Sequence, residues 1–269
     1  MRILCLLMAL VAAPLSADEP TAQYSLIDAT VARFPPQVDG RPEFYFLGFA
    51  GYGEERVFAE EIKLAAARVG EKYGSTDRSL LLINDRRDLT TYPLATGLAL
   101  RHAANALAKV MNRDEDVLFL VLSSHGVRNA MIEVSNTGEP ARGLAADDLA
   151  EILRQSGIRW QVVVVSACFS GAFIKPLAHD ESIVITASSK RRTSFGCSDE
   201  RDLTYFGEAF FRDALPAAPN LRAAAETARR AIRSRERAEK VTPSQPQSYF
   251  GSSIESKLAG LGSGTVSGR

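Results

Sequence analysis

The chain predicts an α/β fold built on a mostly parallel sheet, and three observations carry that expectation. Strand-like and helix-like stretches alternate along it, as parallel strands joined by helical crossovers require. Two of the strands, Val117-Leu118-Phe119-Leu120-Val121-Leu122 and Gln161-Val162-Val163-Val164-Val165, are nearly continuous apolar runs. Such runs belong to strands buried on both faces. Each then ends in small polar residues, Ser123-Ser124-His125-Gly126 and Ser166-Ala167-Cys168-Phe169-Ser170-Gly171. Open α/β sheets form their clefts beyond the carboxyl ends of the strands, so these two side by side would hold an imidazole and a thiol over one crevice.

In chain order, Met1-Arg2 and the apolar stretch 3–15 make a basic start and a run too short to span a bilayer. The run closes on Leu15-Ser16-Ala17 before Asp18-Glu19, which reads as a secretory signal cut after Ala17. That predicts an exported protein, periplasmic or secreted, with no membrane span in the mature form and with Cys5 removed. Residues 18–42 are Pro-punctuated and weakly patterned, a lead-in to a single domain over 43–250. A strand is expected at 44–49, a break at Gly51-Tyr52-Gly53, and a helix at 54–69 with Val57, Ile62, Leu64 and Val69 near helical spacing. Strand 79–84 and helix 94–111 precede the histidine strand, 117–123. The segment 131–134 and the turn Gly138-Glu139-Pro140 suggest a short excursion before helix 146–155. The cysteine strand, 161–166, leads into a short helix through Phe173 and a strand at 182–187. Residues 188–202 are polar and long for a connection inside a compact domain, which marks them as functional. Helices 204–214 and 221–237 close the fold, and 251–269 reads as a flexible Gly/Ser-rich tail.

Composition removes several function classes. Lysine plus arginine equals aspartate plus glutamate at 32 each, so no global charge favours nucleic acid or an anionic membrane surface. The locally basic stretch 222–240 is interrupted by Glu226, Glu236 and Glu239 and reads as a solvated helix face. After the signal only Cys168 and Cys197 remain, too few for a disulfide scaffold, so the core must supply stability. Cys197 reads as a small buried residue near the polar loop. His102 lies mid-helix and His179 in a turn before Asp180, so both read as surface or satisfied core residues and not as ligands. No histidine, cysteine and acid cluster has metal spacing, and Gly48-Phe49-Ala50-Gly51-Tyr52-Gly53 lacks a dinucleotide-binding order and a Walker lysine. No metal or cofactor is therefore expected, and the oligomeric state is left open.

The chemistry then rests on two residues. A free thiol titrates near about pH 8.5 and needs help to become a thiolate at neutral pH. Cys168 stands where a strand hands over to a helix, so the helix dipole is expected to supply part of that help. Gly126 has no side chain to keep its amide from a substrate carbonyl, and the Gly126 and Cys168 amides together make an oxyanion hole. Alone, either His125 or Cys168 reads as structural. Together at strand ends they are the minimum equipment of a cysteine hydrolase.

These residues resemble the paired His-Gly and Ala-Cys-x-Ser-Gly blocks of the legumain family (C13), cysteine peptidases of the caspase-like clan. The resemblance extends through Ala187 to Cys197 and Thr204-Tyr205-Phe206-Gly207-Glu208, covers roughly 44–250, and is closest to bacterial members. It implies a caspase-like three-layer sandwich with a six-stranded, mainly parallel sheet and a His125/Cys168 dyad. In the family an arginine after the first strand, an acid two residues before the nucleophile and an acid in the later block hold a P1 Asn. Arg56 and Glu208 match the first and third of these, whereas the second is Ser166. Thr193 and Ser194 fall where paired serines line the family's substrate cleft. An asparagine that steadies the family's catalytic histidine has Glu54 as its nearest counterpart. The implied function is a cysteine endopeptidase acting on proteins or peptides through an acyl-enzyme thioester, cleaving after Asn or Asp. The same thioester suits a transamidase, and the same fold without turnover suits a binding module.

Overall fold

The computed structural model describes residues 18–38, 40–136, 142–198 and 200–263. The expected signal segment, the 138–140 turn and the end of the tail lie outside the described residues. Helix α1 (Asp18–Val31) precedes β1 (Phe44–Ala50), α2 (Arg56–Tyr73), β2 (Ser79–Ile83), α3 (Gly97–Val110) and β3 (Val117–Ser123). A small hairpin layer follows, made of β4 (Gly126–Val127), β5 (Met131–Val134) and β6 (Arg142–Ala145). Next come α4 (Ala146–Ser156), β7 (Trp160–Ser166), a 3-10 turn (Ser170–Phe173), α5 (Ile174–Leu177) and β8 (Ser182–Thr186). One helical run then spans 205–217, as α6 (Tyr205–Gly207), a π segment (Glu208–Ala214) and α7 (Leu215–Ala217). The order closes with α8 (Leu221–Ala238), β9 (Gln247–Phe250) and α9 (Ser252–Ser263).

The main sheet has six strands in the order β2-β1-β3-β7-β8-β9. All pairings are parallel except β8 with β9. Burial explains why the central strands are apolar throughout: every residue of β1 and β3 is buried. Alternate side chains serve opposite faces. Tyr45, Leu47, Phe49, Leu118, Leu120 and Leu122 pack with residues of α1, α3 and α4, whereas Phe46, Val117, Phe119 and Val121 pack with residues of α2, 205–217 and α8. The result is the three-layer α/β sandwich of the caspase-like fold.

Two expectations need correction. Residues 18–42 are not merely a lead-in: α1 lies against α3 and buries Ile27 and Val31 in the core, while Tyr24 stacks on His102 with ring centroids 4.3 Å apart. The tail 251–269 is not wholly a flexible segment either, because α9 occupies Ser252–Ser263. Ile254 is fully buried there, Leu258 and Leu261 pack beside it at helical spacing, and Glu255 accepts two hydrogen bonds from Arg222. The glycines and serines around these three apolar residues hide the stripe in composition. Strand β9, at the sheet edge, escapes sequence reading because it is only four residues long and its two polar and two aromatic residues do not alternate.

Candidate active site

The register of β3 and β7 builds the site. Ser123 pairs with Ser166, so His125 and Cys168, each two residues further on, leave adjacent parallel strands at the same height. The Ser124 N–H donates to the Ser166 carbonyl at 3.2 Å and prolongs that register past the strand ends. Beyond it the two backbones touch. A Cβ built on Gly126 would stand 1.9 Å from the Cys168 carbonyl oxygen and 3.1 Å from the Cys168 nitrogen, so only glycine fits. The chain then turns sharply at Phe169, which holds a left-handed φ of 56°.

His125 is fixed from three sides. Its carbonyl accepts the Glu133 N–H at 2.9 Å, and the neighbouring Ser124 hydroxyl donates to the Glu133 carbonyl at 2.6 Å. Tyr52 and Phe58 meet the imidazole edge to face, with centroids 4.7 and 5.0 Å away. Glu55 brings Oε2 to 3.1 Å from His125 Nε2. That oxygen is buried without an aligned hydrogen bond, so the contact is an ion pair whose strength depends on the imidazolium charge. The loop that delivers Tyr52 and Glu55 is itself pinned. Asn84 donates to the Gly51 carbonyl at 2.9 Å, and Gly53 and Ser135 exchange backbone contacts with it through Gly53 N to Ser135 O at 3.1 Å and Ser135 N to Gly51 O at 2.9 Å.

The Glu54 expectation therefore moves by one residue. Glu54 accepts from Arg86 at 3.0 Å, whereas Glu55, at the N-cap of α2, faces the histidine. A one-residue step rotates a side chain by about 100° around a helix start, which a motif alignment cannot resolve.

Around Cys168, burial pushes the thiol above its ordinary range, and one hydrogen bond opposes this: the Ser194 N–H donates to Sγ at 3.2 Å. The polar loop 188–203 thus closes over the sulfur, anchored further by the Phe169 N–H on the Arg192 carbonyl at 2.8 Å. The expected helix dipole is weak, because the 3-10 turn and α5 contribute only four residues each. Of the two residues expected along the cleft, Thr193 is exposed and Ser194 half-buried.

The remaining expected residues are placed as follows. Arg56 opens α2 and donates to Asp202. Glu208 has both oxygens engaged, Oε2 by Arg201 at 2.5 Å and Arg235 at 2.9 Å, and Oε1 by Arg212 at 2.7 Å. Consecutive loop residues, Arg201 and Asp202, thus reach Glu208 and Arg56. Ser166 is only 2 % exposed, and its hydroxyl lies 3.3 Å from that of Thr204. His102 pairs with Asp28 at 2.8 Å and His179 with Glu181 at 3.4 Å. Cys168 and Cys197 are free thiols. Sequence reasoning missed Glu55 and also Glu61, a fully buried carboxylate on α2. The signal for Glu61 is positional: it stands on the stripe formed by Phe58, Ile62, Ala65 and Val69, where an apolar residue is the rule.

A parallel sheet with a histidine and a cysteine at adjacent strand ends defines the class of α/β cysteine hydrolases. The profile of the Peptidase C13 family matches residues 94–261, more than half of the chain. The chain belongs to that family and is a cysteine peptidase of the legumain type, acting on protein substrates. The matched stretch contains His125, Cys168 and Glu208, while Glu55, Arg56 and Glu61 precede it. No curated protein matches the chain. Among the described residues no helix is long and apolar enough to cross a membrane.

Proposed function

We propose that the protein is an endopeptidase in which Cys168 is the nucleophile and His125 the acid and base, and one observation supports this most: the shared β3–β7 register that ends with Gly126 packed on the Cys168 backbone. The thiol proton passes to His125, and Sγ forms a bond to the scissile carbonyl carbon while the Gly126 and Cys168 amides receive the oxyanion. His125 then returns the proton to the departing amine as the C–N bond breaks. Water hydrolyses the thioester and restores the thiol. Glu55 stabilises the imidazolium that exists between these steps, and the edge contacts of Tyr52 and Phe58 keep the ring from turning.

Cleavage follows Asn or Asp at P1 in this reading, with Arg56 as the cation of the first pocket and Thr193 and Ser194 along the cleft. Tolerance of an ionised Asp is supported by the three arginines on Glu208, which offset the repulsion its carboxylate would otherwise exert. The apolar run at 3–15 is a secretory signal in the same reading, and the mature amino terminus at Asp18 is checked by mass spectrometry of protein recovered outside the cytoplasm. The decisive experiment compares wild type with Cys168→Ala and His125→Ala on a mixed peptide library. Cys168→Ala should abolish turnover, and His125→Ala should lower it by about 10²–10⁴-fold, with unchanged circular dichroism. Residual cleavage by Cys168→Ala, or a profile dominated by Arg or Lys at P1, would overturn the assignment.

A further inference from the structure

Glu61 has no exposure to water, yet nothing in the packing of α2 calls for an acid there. An apolar side chain of similar size would fill the place without the cost of desolvating a carboxylate, which is several kcal/mol on the order-of-magnitude scale. Instead, polar hydrogens converge on it. The Ser123 hydroxyl donates to Oε1 at 3.2 Å, and Thr204 donates to Oε2 twice, from its hydroxyl at 2.5 Å and its N–H at 3.3 Å. The Ser166 hydroxyl stands beside them, 3.3 Å from Thr204 Oγ1, and favours the charged form of the carboxylate. Thr204 Oγ accepts the Gly207 N–H at 2.9 Å, so its own proton is left for Glu61. Gly207 makes the room: a Cβ there would stand 2.2 Å from Oε2. Burial raises the Glu61 pKa and these donors oppose the rise.

The three hydroxyl residues are not scattered. Ser123 stands two residues before His125, Ser166 two residues before Cys168, and Thr204 closes the loop whose Ser194 N–H rests on Sγ. Burial, and after it the nearby Cys168, Glu61 and Glu55, hold the Cys197 thiol of the same loop well above its ordinary range.

We propose that Glu61 is a positioning residue: with Thr204, its carboxylate joins the carboxyl ends of β3 and β7 to the end of the 188–203 loop, and so sets His125, Cys168 and the Ser194 N–H relative to one another. Its kinetic readout rests on the peptidase reading above, and a second readout does not. The test uses Glu61→Gln, which keeps the shape but turns an N–H₂ toward hydroxyl donors, and the pair Thr204→Val and Thr204→Ser. Measured are kcat and KM on a peptide substrate, the pH midpoint of Cys168 alkylation by iodoacetamide read by mass spectrometry, and the thermal midpoint. Expected for Glu61→Gln is a fall in kcat of about 10²-fold with KM little changed, since small misplacements of reacting groups cost that much. The alkylation midpoint should rise as the Ser194 N–H loses its place. Thr204→Val should follow in both readouts, and Thr204→Ser should recover most of the loss. A folded Glu61→Gln with wild-type kcat and an unchanged alkylation midpoint overturns the proposal, whatever its thermal midpoint. Should Glu61→Gln fail to fold, equal kcat and equal midpoints in the two Thr204 variants overturn it. If the wild type shows no peptidase activity, the alkylation midpoints decide alone.

Discussion

Gly126→Ala is the most direct perturbation of the architecture that joins the two strands. The added methyl carbon would lie 1.9 Å from the Cys168 carbonyl oxygen and 2.8 Å from its carbonyl carbon, whereas real Cβ atoms essentially never approach within 3.0 Å. The His125 and Cys168 backbones must therefore part by about 1 Å, a displacement of the size that costs on the order of 10²-fold in rate. Overpacking of this kind also destabilises by about 1–3 kcal/mol. The assay measures kcat/KM at a temperature where both proteins are folded, together with urea unfolding. Gly97→Ala is the control, because the nearest atom to its new Cβ is Leu144 Cδ1 at 3.8 Å, an ordinary contact. That variant should keep full activity and shift stability by no more than about 1 kcal/mol. Near-wild-type kcat/KM in Gly126→Ala would refute the reasoning, for it would mean that the contact between the two backbones does not set the reacting geometry.

Glu55→Gln should lower kcat/KM by about tenfold, because it removes the anion 3.1 Å from His125 Nε2 and a half-buried pair is worth on the order of 1 kcal/mol. Glu54→Gln, whose carboxylate faces Arg86, should be nearly silent, and equal losses in the two variants would return the role to both. Alkaline pH should destabilise the fold through the thiols of Cys168 and Cys197. Burial raises both Cys168 and Cys197, so below the unfolded value of about 8.5 the folded and unfolded chains hold the same protons and the stability is complete. Above it the unfolded chain releases protons that the fold retains, and stability falls as pH rises toward the folded values. Urea midpoints from pH 7 to pH 10 should therefore decline, and less steeply in Cys197→Ala; identical slopes would contradict the assignment of the effect to that thiol.

The sequence by itself determined the fold class and the standing of His125 and Cys168 just past two strand ends, because both are local. A strand buried on two faces must be apolar throughout, and β3 and β7 announce themselves in that way. His125 and Cys168 follow from where those runs end, whereas the sequence marks Gly126 only for access of its amide to a substrate carbonyl, and tertiary structure adds its close approach to the Cys168 backbone. The helices α2, α3, α4 and α8 were legible through their 3.6-residue spacing, although their ends shifted by a few residues. Elements whose stability comes from what they pack against were not legible. Helix α1 and helix α9 have weak patterns of their own and exist because Ile27, Val31 and Ile254 find cover on the domain. Tertiary structure alone decided which of two adjacent glutamates meets the histidine, since a helix start turns neighbours about 100° apart. It alone gathered Ser123 and Thr204, residues far apart in sequence, on one buried carboxylate, Glu61, with the Ser166 hydroxyl 3.3 Å from that of Thr204. It alone laid the 188–203 loop over Cys168, so that a backbone N–H, which no side-chain pattern encodes, became the hydrogen bond on the sulfur.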